Sequence, residues 1–149
     1  MIDKTNFAEV NGKSLPISKK VSVEICDFIR NRSLSKVKSQ LQEIVEMKRA
    51  LPIRKFTTDV GSHKPGMGPG RYPVKASKTF LELLNSVEAN AGNKGLDVNN
   101  LFVSFARADK AERRWHSGRK GRVKFKSTHV KLMVEERKTA TKEEVKNKK

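Results

Sequence analysis

The 149-residue sequence holds a single cysteine, Cys26. One thiol cannot close an internal disulfide, so the fold needs no oxidising compartment. Beside Ile25 in a helical pattern, Cys26 reads as a small packing residue. No apolar run reaches the length that crosses a bilayer, and the N-terminal residues carry no signal-peptide h-region. A cytoplasmic protein is expected. Histidine is scarce too. His63, His116 and His129 share no metal-ligand spacing, and the lone thiol is far from all three in sequence. No metal and no cofactor is expected. No Ser/His/Asp grouping or carboxylate pair stands out, so the residues offer no case for an enzyme. The glycine run Gly66-Met67-Gly68-Pro69-Gly70 is followed by no Lys-Ser/Thr at the spacing a nucleotide loop needs.

Acid is the other shortage. Asp and Glu number 16 against 33 Lys and Arg, a formal net charge of +17 with a sequence pI near 10.3. Such a chain repels itself, and a polyanion relieves the repulsion. Nucleic acid is the natural partner, because Lys and Arg displace counterions condensed on phosphates. A soluble protein with a merely basic surface is the plainer alternative. A membrane surface fits poorly, since the cations do not lie opposite one large apolar face.

Three helices are predicted from apolar residues at helical spacing. Val21, Ile25, Phe28 and Ile29 make the first stripe, with Ser18 as N-cap after Pro16 and Asn31-Arg32-Ser33 as its end. Leu34, Val37, Leu41, Ile44 and Val45 make the second, with Leu51-Pro52 as its stop. Ala76, Phe80, Leu83, Leu84, Val87 and Ala91 make the third and longest. Pro73 stands near its start and Gly92 or Gly95 closes it. Leu83 is expected in the core. Before the first helix, Phe7, Val10 and Leu15 support a strand, with Asn11-Gly12 as a turn.

Two segments carry cations without a core pattern. The connection 52–73 is rich in Gly and Pro, and a loop of that length in a compact domain usually has a task. Its neighbourhood holds Arg54, Lys55, Lys64, Arg71, Lys75 and Lys78 against Asp59 alone. A segment ordered by a charged partner is expected. The second lies in a hairpin, 101–134. Leu101, Val103 and Phe105 alternate on one arm, and Val130, Leu132 and Val134 on the other. The midpoint falls at the turn dipeptide Ser117-Gly118. At the strand rise, arms 101–117 and 118–134 reach about 55 Å, so a regular hairpin must project. Its outer part carries Arg107, Lys110, Arg113, Arg114, Arg119, Lys120, Arg122, Lys124 and Lys126 against Asp109 and Glu112. Val123 and Phe125 are out of phase with Val130 and Leu132, and a bulge or bend near Ser127 is the expected cause. Trp115, beside the turn, suits either the core or stacking on a base. Residues 135–149 are charged and patternless, a disordered tail by composition.

The stretch GMGPGRYPVKASKTFLELLNSVEANAGNKGLD resembles the archaeal and eukaryotic form of the universal large-subunit ribosomal protein L twenty-two family. Gly70, Arg71, Tyr72, Pro73 and Lys75 match its signature before the long helix. Asn90, Ala91, Lys94, Gly95, Leu96 and Asp97 match its end. ISKKVSVEICDFIRNRSL resembles its first helix, and GRKGRVKFKSTHVKLMV its returning strand, with Gly121, Arg122, Thr128 and His129 in place. The resemblance covers roughly 14–136. At the tip the chain departs from it: relatives commonly have Arg-aromatic-x-Pro-Arg-Ala, whereas His116, Ser117, Gly118 and Arg119 follow Trp115 here.

The resemblance implies an α+β fold, three helices packed on a small antiparallel sheet with a long protruding β-hairpin. It implies one domain over 1–136 and a basic tail over 137–149. It also implies a structural role in the large ribosomal subunit rather than an enzyme. Partners would be large-subunit rRNA, neighbouring ribosomal proteins and the nascent polypeptide. The basic residues above would bind rRNA, and Trp115, His116, Ser117 and Gly118 would form a tip in the peptide exit tunnel. A free-standing nucleic-acid-binding module and an RNA-modifying enzyme are the alternatives.

Overall fold

The computed structural model describes residues 7–64 and 66–137. Of the expected patternless tail, 135–149, Glu135 and Glu136 instead close strand pairing with Phe102 and Leu101, and residues 138–149 lie outside the described ones. The architecture is α+β. In chain order it runs β1 (Phe7–Leu15), α1 (Lys19–Ile29), α2 (Leu34–Val45), β2 (Leu51–Pro52), β3 (Ser62–Lys64), β4 (Gly68–Arg71), α3 (Val74–Asn93), β5 (Leu101–Lys110) and β6 (Thr128–Glu136).

All three helices follow their apolar stripes. Ile25, Cys26 and Ile29 of α1, Val37, Leu41 and Ile44 of α2, and Phe80, Leu84, Val87 and Ala91 of α3 are buried in one core. Helix α3 packs on β1 and α1 on β5, with α2 against α3. Ser18 adopts the extended N-cap conformation, although its side chain makes no cap hydrogen bond. Gly95 closes α3: it takes the left-handed φ of +74°, and the Leu96 amide donates back to the Ala91 carbonyl at 3.1 Å. Gly92 lies inside the helix.

Helix α2 stops earlier than its sequence stop signal. Met47 turns left-handed at φ +58°, and the amides of Lys48 and Arg49 both donate to the Glu43 carbonyl, at 2.9 and 3.2 Å. Leu51-Pro52 is extended instead and pairs with Arg71 and Gly70. Leu83 needs a second correction. It is only partly buried, because the stripe centres on Phe80, Leu84 and Val87 and leaves Leu83 at its edge, above Gly12.

The main sheet has the order β1-β6-β5 and is antiparallel throughout. Asn11 and Gly12 form no turn; they sit within β1, opposite Lys131 and Val130. Gly12 is there for a close approach, since a Cβ would stand 2.8 Å from the Leu15 side chain and 3.1 Å from that of Leu83. The outer edge of β1 is capped by α3: Asn90 donates its side-chain amide to the Glu9 carbonyl at 3.1 Å, and Lys94 its ammonium to the Phe7 carbonyl at 3.0 Å. Such capping leaves the edge less open to another strand.

Strand β6 begins only at Thr128 and residues 125–127 lie outside any strand, so the break in phase from Val123 and Phe125 to Val130 and Leu132 falls next to Ser127, as expected. A separate irregularity lies on the other arm. Register shifts between Val103 and Phe105. Leu101 and Val103 face the core before that bulge, and Ala106 and Ala108 after it. Phe105 therefore points outward. On β6 Thr128, Val130, Leu132 and Val134 all face inward without interruption. The segment 52–73 is likewise no unstructured connection. It builds a second small sheet of order β2-β4-β3.

Leu84→Ala is expected to lower unfolding free energy by about 2–5 kcal/mol, the range for a fully buried leucine. Leu83→Ala should cost clearly less. Urea unfolding of both variants measures this, and equal losses would place Leu83 in the core after all.

Candidate nucleic-acid interface

Within the basic loop, residues 54–56 are tied to a carboxylate of the same chain. Glu24 lies on α1 and is 3% exposed. Its Oε2 accepts the Arg54 amide at 3.1 Å, and its Oε1 accepts those of Lys55 and Phe56 at 2.8 and 3.0 Å. A buried carboxylate is costly unless hydrogen-bonded, and three converging amides satisfy it. One turn along α1, Asp27 accepts an ion pair from the Lys55 ammonium. For residues 54–56 the charged group that meets the main chain is Glu24 of the chain itself.

A second tie fixes the hairpin root. Thr128, fully buried, donates its hydroxyl to the Ile17 carbonyl at 2.9 Å, just before α1. The root, the N-terminal turn of α1 and the segment 53–58 then enclose a cleft of about 610 Å³. Its walls carry Lys19, Lys20, Lys55, Arg71, Lys110, Arg113 and Lys126. Glu24 is the single carboxylate among them, and its oxygens are already engaged. Cations walled by low-dielectric protein focus a positive field, which suits phosphate.

The two basic segments of the sequence thus meet, through Lys55 and Arg71 from one and Lys110, Arg113 and Lys126 from the other. Lys19 and Lys20 were missed. Their signal was available: two lysines in the first turn oppose the helix dipole, where acids are normally favoured. Lys75 lines an adjoining recess with Tyr72 and Pro73, while Lys78 lies exposed on α3. Arg54 is exposed apart from its bound amide, and Lys64 pairs with Gly68 through the backbone. The Arg71 guanidinium also donates to the Asp59 carbonyl at 3.4 Å.

Beyond Lys110 the hairpin continues in looser pairing. The Phe125 amide donates to the Arg114 carbonyl and the His116 amide to the Val123 carbonyl, each at 2.9 Å. Arg113 reaches across with its Nε to the Phe125 carbonyl at 3.0 Å. Gly118, at φ +62°, begins a 3₁₀ turn with Arg119 and Lys120, and the Gly121 amide closes on the Gly118 carbonyl. From Glu112 to Lys126 every residue is exposed except the half-buried His116. Trp115 is 60% exposed with the Lys124 ammonium 4.2 Å from its ring centre, so its core reading is excluded. His116 stacks on Phe125, with centroids 3.4 Å apart. Arg107 pairs with Asp109 at 2.9 Å; Arg122 is exposed near the turn.

The remaining histidines have structural contacts. His63 packs edge-on against Tyr72, and His129 accepts the Ser14 amide on Nδ1 at 3.1 Å. Burial pushes the Cys26 thiol up from 9.0 to about 12. Among the described residues no helix is long and apolar enough to cross a membrane.

The family described as ribosomal protein L22p/L17e matches residues 10–135. The large ribosomal subunit protein uL22 of Archaeoglobus fulgidus is 43% identical over 111 residues, covering 72% of this chain and 71% of the relative. Its namesake from Methanoculleus marisnigri is 41% identical over 111 residues, covering 72% of each chain. That of Nanoarchaeum equitans is 37% identical over 140 residues, covering 89% of this chain and 80% of its own length.

Glu24→Ala strands three amides, and each buried unsatisfied group costs about 1–3 kcal/mol. Hydrogen exchange at Arg54, Lys55 and Phe56 should accelerate well beyond that at α3 core amides; uniform exchange would remove Glu24 from its role. Cys26 gives a pH test. A folded-state pKa raised to about 12 keeps the thiol protonated while the unfolded chain ionises above 9.0. The thiol's contribution is complete below pH 9 and declines towards pH 12. The stability difference between wild type and Cys26→Ala should therefore shrink over that window in denaturant titrations at stepped pH. A constant difference would mean the thiol titrates normally.

Proposed function

The chain belongs to the ribosomal protein L22p/L17e family, and from that premise we propose that it is a structural constituent of the large ribosomal subunit that binds large-subunit rRNA. One observation carries the reading: the basic loop and the hairpin root converge on a cleft whose single carboxylate is already bound. Arg54, Lys55, Lys64, Arg71, Lys75 and Lys78 contact rRNA from the loop side. Arg107, Lys110, Arg113, Arg114, Arg119, Lys120, Arg122, Lys124 and Lys126 contact it along the arm. Each cation that meets a phosphate releases counterions, and together they hold several rRNA segments around one small protein.

In this reading residues 1–136 act as one unit. The hairpin, 101–134, lines the peptide exit tunnel and the body sits near its outer opening. The exposure of residues 112–126 supports the arm's part, because an isolated ribbon is marginal in water and gains by being enclosed. Trp115, His116, Ser117 and Gly118 then meet the nascent polypeptide. A neighbouring ribosomal protein is best placed on the outer face of the main sheet. There Lys131 pairs with Glu9, and Phe105 and Met133 stand side by side. Neutralised charge with exposed apolar surface suits protein better than phosphate.

Charge reversal tests the arm. The double variant Arg119→Glu, Arg122→Glu removes no packing and should keep its circular dichroism spectrum. It should be depleted from mature large subunits after a moderate salt wash. Wild-type incorporation would sink the tunnel role of these residues and leave the body's RNA binding standing.

A further inference from the structure

Phosphate neutralisation explains the rim of the cleft and not its floor. Between the lysines lie Val21, Ile53 and Phe56, and Phe56 is 37% exposed although it stands in the most cationic recess described. Its main-chain N–H donates a hydrogen bond to the Glu24 carboxylate, and the Lys20 ammonium stands 5.6 Å from its ring centre. The cleft also continues. The adjoining recess shares Ser18, Val21 and Lys126 with it and adds Tyr72, 38% exposed. Two exposed aromatic rings thus line adjoining recesses that have Lys126 in common.

A double-stranded RNA presents phosphates and ribose to such a surface and keeps its bases stacked inside. It would satisfy the lysines and leave the Phe56 ring in water. An unstacked nucleotide uses both, because a base offers a flat apolar face and its flanking phosphates offer charge. We infer that this cleft is a site for an unpaired, looped-out RNA nucleotide, with its base on Phe56 and its phosphates on the flanking lysines. The inference rests on the RNA-binding reading and narrows it to single-stranded structure. Glu24 is then a positioning residue, which fixes the strand that carries the ring.

The test uses the purified full chain and two RNA hairpins that differ only by one bulged nucleotide. Wild type should bind the bulged hairpin about tenfold more tightly, the scale of one base stacked on an aromatic side chain. Phe56→Ala, and Phe56→Leu, which keeps apolar volume without a π-face, should bind both hairpins alike. A 4-thiouridine at the bulge should crosslink to the peptide containing Phe56. No preference in the wild type, a preference that survives both variants, or a crosslink at the hairpin tip instead would each overturn the site. Failure of wild type to bind either hairpin in a salt-dependent way would instead overturn the broader RNA-binding reading.

Discussion

Three consecutive amides, of Arg54, Lys55 and Phe56, end on the carboxylate of Glu24, and the placement of the basic surface depends on that contact. Without it the segment 53–58 would be held along α1 mainly by the buried Ile53 side chain and the exposed ion pair of Lys55 with Asp27. Its main-chain donors could be satisfied by water, and its lysine would repel Lys19 and Lys20. A buried anion reverses the balance, since the carboxylate must be hydrogen-bonded and the amides are the donors within reach. The contact joins residues far apart in the chain and brings Phe56 and Lys55 to the same recess.

The same logic partitions charge over the molecule. Carboxylates near the body are mostly engaged: Glu24 by amides, Asp27 by Lys55, Glu88 by Lys38, Glu9 by Lys131. Such exposed pairs add little stability, but they neutralise the cations next to them. The outer hairpin has few acids to do so, and it projects from a core to which it contributes no buried side chain between Glu112 and Lys126. Stability and charge therefore reside in different parts. The packed helices and the sheet hold the fold, while the arm and, Lys55 apart, the cleft remain as positive surface that a polyanion can neutralise.

Reading these parts from the residues succeeded where a pattern is local and strong. Helical spacing places Ile25, Leu41 and Phe80 inward without any knowledge of their neighbours, because one face of a helix must find a core. It failed where a neighbour decides. Asn11-Gly12 has turn chemistry, yet β6 and α3 hold it as strand. Phe105 has the right parity for the core, yet a bulge at its own doorstep turns it out. Leu83 fits its stripe, but it lies at the edge of the face that Phe80, Leu84 and Val87 bury. Met47 ends α2 in a left-handed conformation that its residue type does not announce.

By itself, then, the sequence determined the number and the inward faces of the helices, the segregation of cations into a loop and a hairpin, the absence of disulfide chemistry and the family resemblance. These follow from periodicity, composition and motif, all properties of short stretches. Only the tertiary structure decided that Lys19 and Lys20, Lys55 and Phe56, and Lys110 with Lys126 surround one recess. That arrangement depends on a buried glutamate and a buried threonine reaching main chain 30 and 111 residues away. No local pattern encodes such a closure, because its energy comes from satisfying polar groups that are buried only once the rest of the chain has folded over them.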